Sequence, residues 1–330
     1  MSKFGKRKIA IGVFLHNEEK HCKEAIESLL RQTYSDFKLI ILDDASTDGT
    51  EKIVRNLQKK DLRISFYENK TRKGYIYNYR KTFELAGDNI DYFAWAAGHD
   101  RHHSRWLEIL SKCLDDHPDV VMAYPKIVRI SDSGKILPVP STFYDNTKFD
   151  VFERIKITAL RANGFGNMIY GLFRRSAIKK AGIFRYVLMP DMMLLAEMCP
   201  LGCFMQIKKE LWYRRYIDLF SIKRQKKIAF ESPPWYINLP WPIVNSFVLF
   251  WNHILSPRAG SFYDRYLGLI LSLFFFIRSI PKLKRDSPVL GKLFVFPLLK
   301  IIKRVLTIKS KFKAQTNYYT KTILSKIKIK

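Results

Sequence analysis

The sequence predicts an α/β protein: a Rossmann-like, mostly parallel sheet flanked by helices, followed by a helical extension at the carboxyl end. Three observations predict it. Short apolar runs alternate with amphipathic helical patterns from Ile9 to Tyr124, as successive β/α units require. Polar clusters stand directly after several of those runs, where open α/β sheets place ligands. Beyond about Asp218 the pattern gives way to Pro/Trp/Tyr-rich and then basic, apolar segments.

Ile9 to Leu15 reads as the first strand, and His21 to Gln32 as a helix with Ala25, Ile26, Leu29 and Leu30 on one face. Lys38 to Leu42 is the second strand. Asp48, with Glu51 three residues on, reads as the N-cap of a helix running to about Lys60. Ile64 to Tyr67 makes a third strand, Tyr75 to Ala86 a helix, Tyr92 to Ala96 a fourth strand, Arg105 to His117 a helix and Val120 to Tyr124 a fifth strand.

The stretch Ser131 to Asn146, rich in Ser, Asp, Gly, Pro and Asn, reads as a surface excursion. Helical periodicity returns at Phe152 to Leu160, Ser176 to Ala181 and Asp191 to Met198. Met189-Pro190 breaks the chain just before Asp191 and holds it at a helix start, where taken alone it would serve as an N-cap.

The 330 residues carry 58 Lys and Arg against 30 Asp and Glu, a net charge of +28 that calls for a polyanionic partner. From Arg278 to Lys330 there are fifteen basic residues and one acid, Asp286. These bases are interleaved with Phe274, Phe294, Leu298 and Ile301, and such aliphatic bulk suits an anionic membrane surface rather than nucleic acid. The run Tyr266 to Ile277 is too short to span a bilayer, which needs about 20 residues. Val289 to Leu306 reads as an amphipathic, surface-lying segment. The expected division is a catalytic domain over 1–218 and a membrane-associating helical region over 219–330. Four scattered cysteines and a basic amino terminus without an apolar leader point to a reducing, cytoplasmic setting on the inner face of a membrane. The Cys199/Cys203 pair reads as plain packing.

Two constellations sit after strands. His16, Asn17 and Glu18 follow the first; Asp43-Asp44-Ala45-Ser46-Thr47-Asp48-Gly49-Thr50 follows the second. A carboxylate there can accept hydrogen bonds from a base or ribose, and the His16 ring can stack, although capping of the turn accounts for Asp43, Ser46 and Asp48 equally well. After the fourth strand, Asp100 is the one carboxylate in Gly98-His99-Asp100-Arg101-His102-His103, and a hard divalent ion can be held by one carboxylate plus substrate phosphates. Adjacent histidines of this kind, without a second separated cluster, read as surface residues.

These residues, with Ser28-Leu29-Leu30-Arg31-Gln32-Thr33-Tyr34, Asn69, Gly74, Asn78 and Trp106-Leu107, resemble the family 2-type inverting glycosyltransferases of GT-A fold over roughly Lys8 to Tyr216. The resemblance implies that Phe14, His16 and Glu18 line a nucleotide pocket, that Asp44 contacts the base, and that Asp100 holds Mg2+ or Mn2+. His99 stands where the family usually has a ribose-binding carboxylate. Asp191 matches the family's catalytic base, and Arg214 or Arg215 matches a position near the leaving diphosphate. The implied reaction moves a sugar from a nucleotide-sugar donor, UDP-linked by preference, to a glycan or lipid-linked acceptor. The alternative is a catalytically inactive scaffold or sugar-binding domain, motivated by His99.

Overall fold

A computed structural model of the chain describes residues 7–138, 144–161, 165–216, 221–256 and 260–286. The chain forms two compact units, Met1–Trp241 and Pro242–Lys330. The segment Val289 to Leu306 lies outside the described residues.

The first unit opens with β1 (Ile9–Leu15), α1 (Cys22–Leu30), β2 (Phe37–Asp43), α2 (Thr50–Gln58), β3 (Ile64–Glu68), α3 (Tyr75–Leu85) and β4 (Tyr92–Ala97). β1 is an unbroken apolar run because both its faces are covered. Ile9, Ile11, Val13 and Leu15 join Ile26, Leu29, Trp106 and Leu110 in one buried cluster. On the other side of β4, Trp95 packs edge-on against Tyr79, Phe93, Phe173 and Phe184. Burying a large apolar side chain of this kind stabilises a fold by about 1.5–3 kcal/mol. α2 starts one residue later than expected, with Gly49 at the N-cap position. The Asp48 carboxylate still accepts from the Thr50 N–H, at 3.0 Å.

β5 (Arg101–His102), α4 (Trp106–Asp116), β6 (Val120–Ile130), α5 (Val151–Arg161), β7 (Leu172–Arg174), α6 (Arg175–Ala181), α7 (Pro190–Met198) and β8 (Cys203–Arg215) complete an eight-stranded sheet. The strand order is β3-β2-β1-β4-β7-β6-β8-β5. The four predicted strands β1 to β4 are parallel neighbours. The fifth, β6, does not join β4 directly, because the three-residue β7 inserts antiparallel to both. It also runs on to Ile130, since its second half pairs with β8 from Lys126↔Glu210 to Ile130↔Arg215. A strand of three residues carries too short a pattern to be read locally.

After β8 comes α8 (Ile222–Ile228). The first unit extends past residue 218 because this segment docks at the start of α3. The Ile76 N–H donates to the Ala229 carbonyl at 3.4 Å, and Lys73 Nζ pairs with Glu231 Oε1 at 2.6 Å. Gly74, at φ 84°, takes a backbone that side chains disfavour, and a Cβ there would stand 2.7 Å from Ala229.

In the second unit, α9 (Trp241–Phe250) leads into a π-helical turn, Trp251–Leu255, and then α10 (Phe262–Asp286). Ser246 and Ser272 exchange hydroxyl-to-carbonyl bonds of 2.9 and 2.8 Å, pinning α9 to α10. Among the described residues no helix is long and apolar enough to cross a membrane.

Candidate functional site

Parallel pairing brings the carboxyl ends of β1, β2 and β4 to one edge: Leu15 pairs with Asp43 and Phe14 with Ala97. His16 to Glu18, Asp43-Asp44 and Gly98 to Asp100 therefore leave the sheet level with one another. At this edge the Phe14 ring meets Tyr79 edge-on at 4.9 Å, and His16 Nδ1 lies 2.9 Å from the Asp44 carbonyl. Asn17 Oδ1 accepts from the Thr47 N–H at 2.8 Å and ties the first loop to the second.

Asp44 is buried, and its carboxylate accepts from Asn69 Nδ2, the Lys73 N–H and the Gly74 N–H at 2.8, 2.8 and 3.1 Å. It thus holds the loop between β3 and α3 in place. Asp43 does the same for its own turn, accepting from the Ser46 N–H at 2.9 Å.

Asp100 is 1% exposed and is gripped from β8. Oδ2 accepts from Trp212 Nε1 at 2.9 Å, and Oδ1 from the Arg215 N–H at 2.7 Å. Burial pushes its pKa above the ordinary carboxylate value, opposed by His99, these two donors and Arg214. His99 turns back toward β1, with Nδ1 2.9 Å from Glu18 Oε1 and Nε2 3.9 Å from Asp100 Oδ1. Burial lowers the His99 pKa, but Glu18 and Asp100 outweigh it, and the net direction is upward.

Arg214 and Arg215, paired in the sequence reading, part company here. Arg215 is buried and occupied: Nε donates to the His99 carbonyl at 2.9 Å, Nη1 to the Ser131 and Asp132 carbonyls, and Nη2 to Glu24. It is a brace for the loop that carries Asp100, not a group free to meet a nucleotide. Arg214 is half-buried, and its charge acts on His99, Asp100 and Tyr170.

The histidines also divide. His102, expected at the surface, is 6% exposed and packs 4.5 Å from the Trp106 ring, because alternation along β5 turns it inward. Burial drops its pKa to about 3. His103 is exposed.

Asp191 occupies the first turn of α7 rather than its N-cap, which is Met189 at φ 58°. Burial raises its pKa, offset in part by the Met192 N–H and its own. Its charge reaches Tyr75, Tyr79 and Tyr170. Tyr170 closes the site: its hydroxyl is 2.6 Å from that of Tyr79, its ring is 4.9 Å from Trp212, and its pKa is pushed up to about 12, first by burial and then by both Asp100 and Asp191. Both carboxylates thus lie within electrostatic reach of one tyrosine. Tyr75, Tyr79, Tyr170 and Trp212 were not singled out from the sequence. Trp212 stands two residues before Arg214, and Tyr170 follows an irregular stretch with no pattern to mark it.

A cavity of about 580 Å³ lies elsewhere, lined by Arg7, Asp88, Asp91, Arg174, Arg175 and Lys180 at the amino ends of β1 and β4. Its acids and bases pair with one another, Asp88 with Arg175 and Lys179 and Asp91 with Arg7, and none of the predicted site residues lines it.

Residues 10–182 match glycosyl transferase family 2. The chain belongs to that family. An uncharacterised glycosyltransferase of Methanocaldococcus jannaschii, MJ1057, is 30% identical over 131 residues, 39% of this chain and 44% of that protein. A Campylobacter jejuni GalNAc(5)-diNAcBac-PP-undecaprenol β-1,3-glucosyltransferase is 36% identical over 66 residues, 20% of this chain and 21% of its own length. The matched stretch thus spans less than half the length of these relatives. In three dimensions the chain is similar to Staphylococcus aureus TarS 1–349 in complex with UDP-GlcNAc, with a TM-score of 0.56 at 13% identity, covering 85% of this chain and 76% of that one. The likeness shows the GT-A fold.

Proposed function

We propose that this family 2 protein transfers a sugar from a nucleoside-diphosphate sugar, UDP-linked by preference, to a hydroxyl of a glycan or lipid-linked acceptor, with inversion. The observation that carries the reading is the placement of two carboxylates: Asp100, held by Trp212 and the Arg215 N–H in the turn after β4, and Asp191, in the first turn of α7, both within electrostatic reach of Tyr170. The TarS complex with UDP-GlcNAc supports the donor class, and the undecaprenol-named relative supports a lipid-linked acceptor.

Among the described residues no group of three or more His, Cys, Asp or Glu forms a metal cage. A Mg2+ or Mn2+ ion held by few protein atoms and the donor's phosphates fits that arrangement. Each Asp100 oxygen accepts one protein hydrogen bond and retains further acceptor capacity. Asp100 would hold the ion, which supplies charge neutralisation at the diphosphate. Arg214, whose charge already reaches Asp100 and Tyr170, adds a second positive group there. Asp191 takes the proton from the acceptor hydroxyl as that oxygen bonds to the anomeric carbon and the sugar–phosphate bond breaks, releasing the nucleoside diphosphate. Phe14, His16 and Glu18 form the nucleotide side of the cleft. Asp44 supports its floor through the loop it anchors.

Peripheral attachment to the inner face of a membrane is part of the reading. Phe247, Trp251 and Leu255 recur at four-residue steps along α9 and its π turn and are 64, 55 and 53% exposed. Such a stripe, in a chain of net charge +28, suits the headgroup region of an anionic bilayer.

The test is a screen of nucleotide sugars with Mn2+ or Mg2+, following release of the nucleoside diphosphate. Donor hydrolysis or transfer that Asp191→Asn reduces about 100-fold or more supports the enzyme. No turnover with any donor, and no change on Asp191→Asn, supports the inactive scaffold.

A further inference from the structure

We infer that His99 is itself a ligand of the divalent ion, through Nε2 beside Asp100, so that the site presents one nitrogen and one carboxylate and selects a transition ion such as Mn2+ over Mg2+. The inference rests on the reading of Asp100 as the metal carboxylate.

The position of His99 is fixed from three directions. Its Nδ1 faces Glu18 Oε1 at 2.9 Å, and its carbonyl accepts from Arg215 Nε at 2.9 Å. Gly98 permits the approach to β1, since a Cβ there would come within 2.2 Å of Leu15 Cδ2 and 3.5 Å of Glu18 Cγ. In the neutral ring the nitrogen bonded to a carboxylate carries the proton, which leaves the other nitrogen with its lone pair for a metal ion. Metal-binding histidines are held in that way, by a carboxylate that sets the tautomer and increases the basicity of the ligating nitrogen. Glu18 is therefore a positioning residue for His99.

The distance is suitable. His99 Nε2 and Asp100 Oδ1 are 3.9 Å apart. Six-coordinate ions with ligands at about 2.1 Å have adjacent donors about 3.0 Å apart and opposite donors about 4.2 Å apart. The 3.9 Å separation falls between these two spacings, so both atoms can reach one ion of distorted geometry. No other hydrogen bond competes for Nε2 among the described residues. His99 is 29% exposed at the side chain against 1% for Asp100, so it forms the open side of the pair, where a diphosphate could complete the shell.

The donor set decides the metal. Mg2+ takes oxygen almost exclusively, whereas imidazole nitrogen suits transition ions. A histidine where relatives of the resembled family carry a carboxylate thus changes ion preference instead of abolishing the site.

Electron spin-echo spectroscopy of the full chain with Mn2+ and UDP tests this directly. The expected result is nitrogen modulation from one imidazole, absent in H99A. Competition titrations should show the preference for Mn2+ over Mg2+ falling about tenfold or more in H99A and in H99D. Mn2+ bound without nitrogen modulation, or modulation that persists in H99A, overturns the inference. If D100N still abolishes Mn2+ uptake in that case, the transferase reading stands. No Mn2+ uptake by the native chain with UDP overturns both the inference and the metal assignment.

Discussion

The indole N–H of Trp212 donates to Oδ2 of Asp100 at 2.9 Å, joining the carboxyl end of the last long strand to the turn after the fourth. Both groups are buried, with Asp100 1% and Trp212 1% exposed. Trp212→Phe keeps most of the apolar volume and removes the donor. A lost hydrogen bond to a charged group costs about 1.5–3 kcal/mol. Expected outcomes are a weaker response to Mn2+ in donor-turnover assays and a lower melting temperature. Unchanged metal dependence would show that the bond does not tune Asp100.

The raised pKa of Asp191 gives a pH signature. As general base it must be ionised, so activity should fall, as pH is lowered, at a higher pH than an ordinary carboxylate would give. The sign for stability runs the other way. A carboxyl whose folded pKa lies above its unfolded value favours the fold most below the unfolded value, and that contribution declines as pH rises through the folded one. Asp191→Asn should therefore melt at a higher temperature than the native chain at neutral pH while losing turnover about 100-fold or more. Melting curves at acidic and neutral pH check the first half, and kcat checks the second.

Arg214 and Arg215 should respond oppositely to truncation. Arg215 is 4% exposed with its guanidinium on three carbonyls and on Glu24, whose side chain is 43% exposed, and leaving buried carbonyls without their donor costs about 1–3 kcal/mol. Arg215→Ala should lower the melting temperature by several degrees. Arg214→Ala should leave melting nearly unchanged and weaken UDP binding by calorimetry about tenfold. Equal effects on both observables would remove the distinction.

Phe247→Ser with Trp251→Ser should reduce co-sedimentation with vesicles of anionic lipid and leave hydrolysis of a soluble donor intact. The same loss of sedimentation in neutral vesicles would point to apolar insertion alone, and no loss in either would remove this stripe from the membrane reading. High salt should release the native chain in part, since surface attraction is screened beyond about 10 Å at 0.1 M.

Much of this was legible along the chain. β1 to β4, the helices between them and the level ends of those strands follow from apolar runs and turn chemistry, which are local. His16, Asp44 and Asp100 stood out because polar residues directly after a strand are marked by position, whereas Glu18 and Asp191 took their expected roles from the family resemblance, position alone making Asp191 an N-cap. Tyr170 and Tyr75 carry no such mark, and His102 was misplaced because one residue of strand parity decided its face. Arg214 and Arg215 are adjacent in sequence, yet alternation sends one guanidinium inward and leaves the other near the cleft.

The sequence by itself determined the α/β class and the sheet edge at which the polar clusters gather. Tertiary structure alone decided that β7 separates β4 from β6, that Asp100 is held by Trp212 and Arg215, and that Tyr170 lies hydroxyl to hydroxyl with Tyr79 and ring to ring with Trp212. The reason is separation along the chain. Periodicity and capping act over a few residues, whereas the Asp100 contacts join groups 112 and 115 positions apart, and only packing brings them within hydrogen-bond reach.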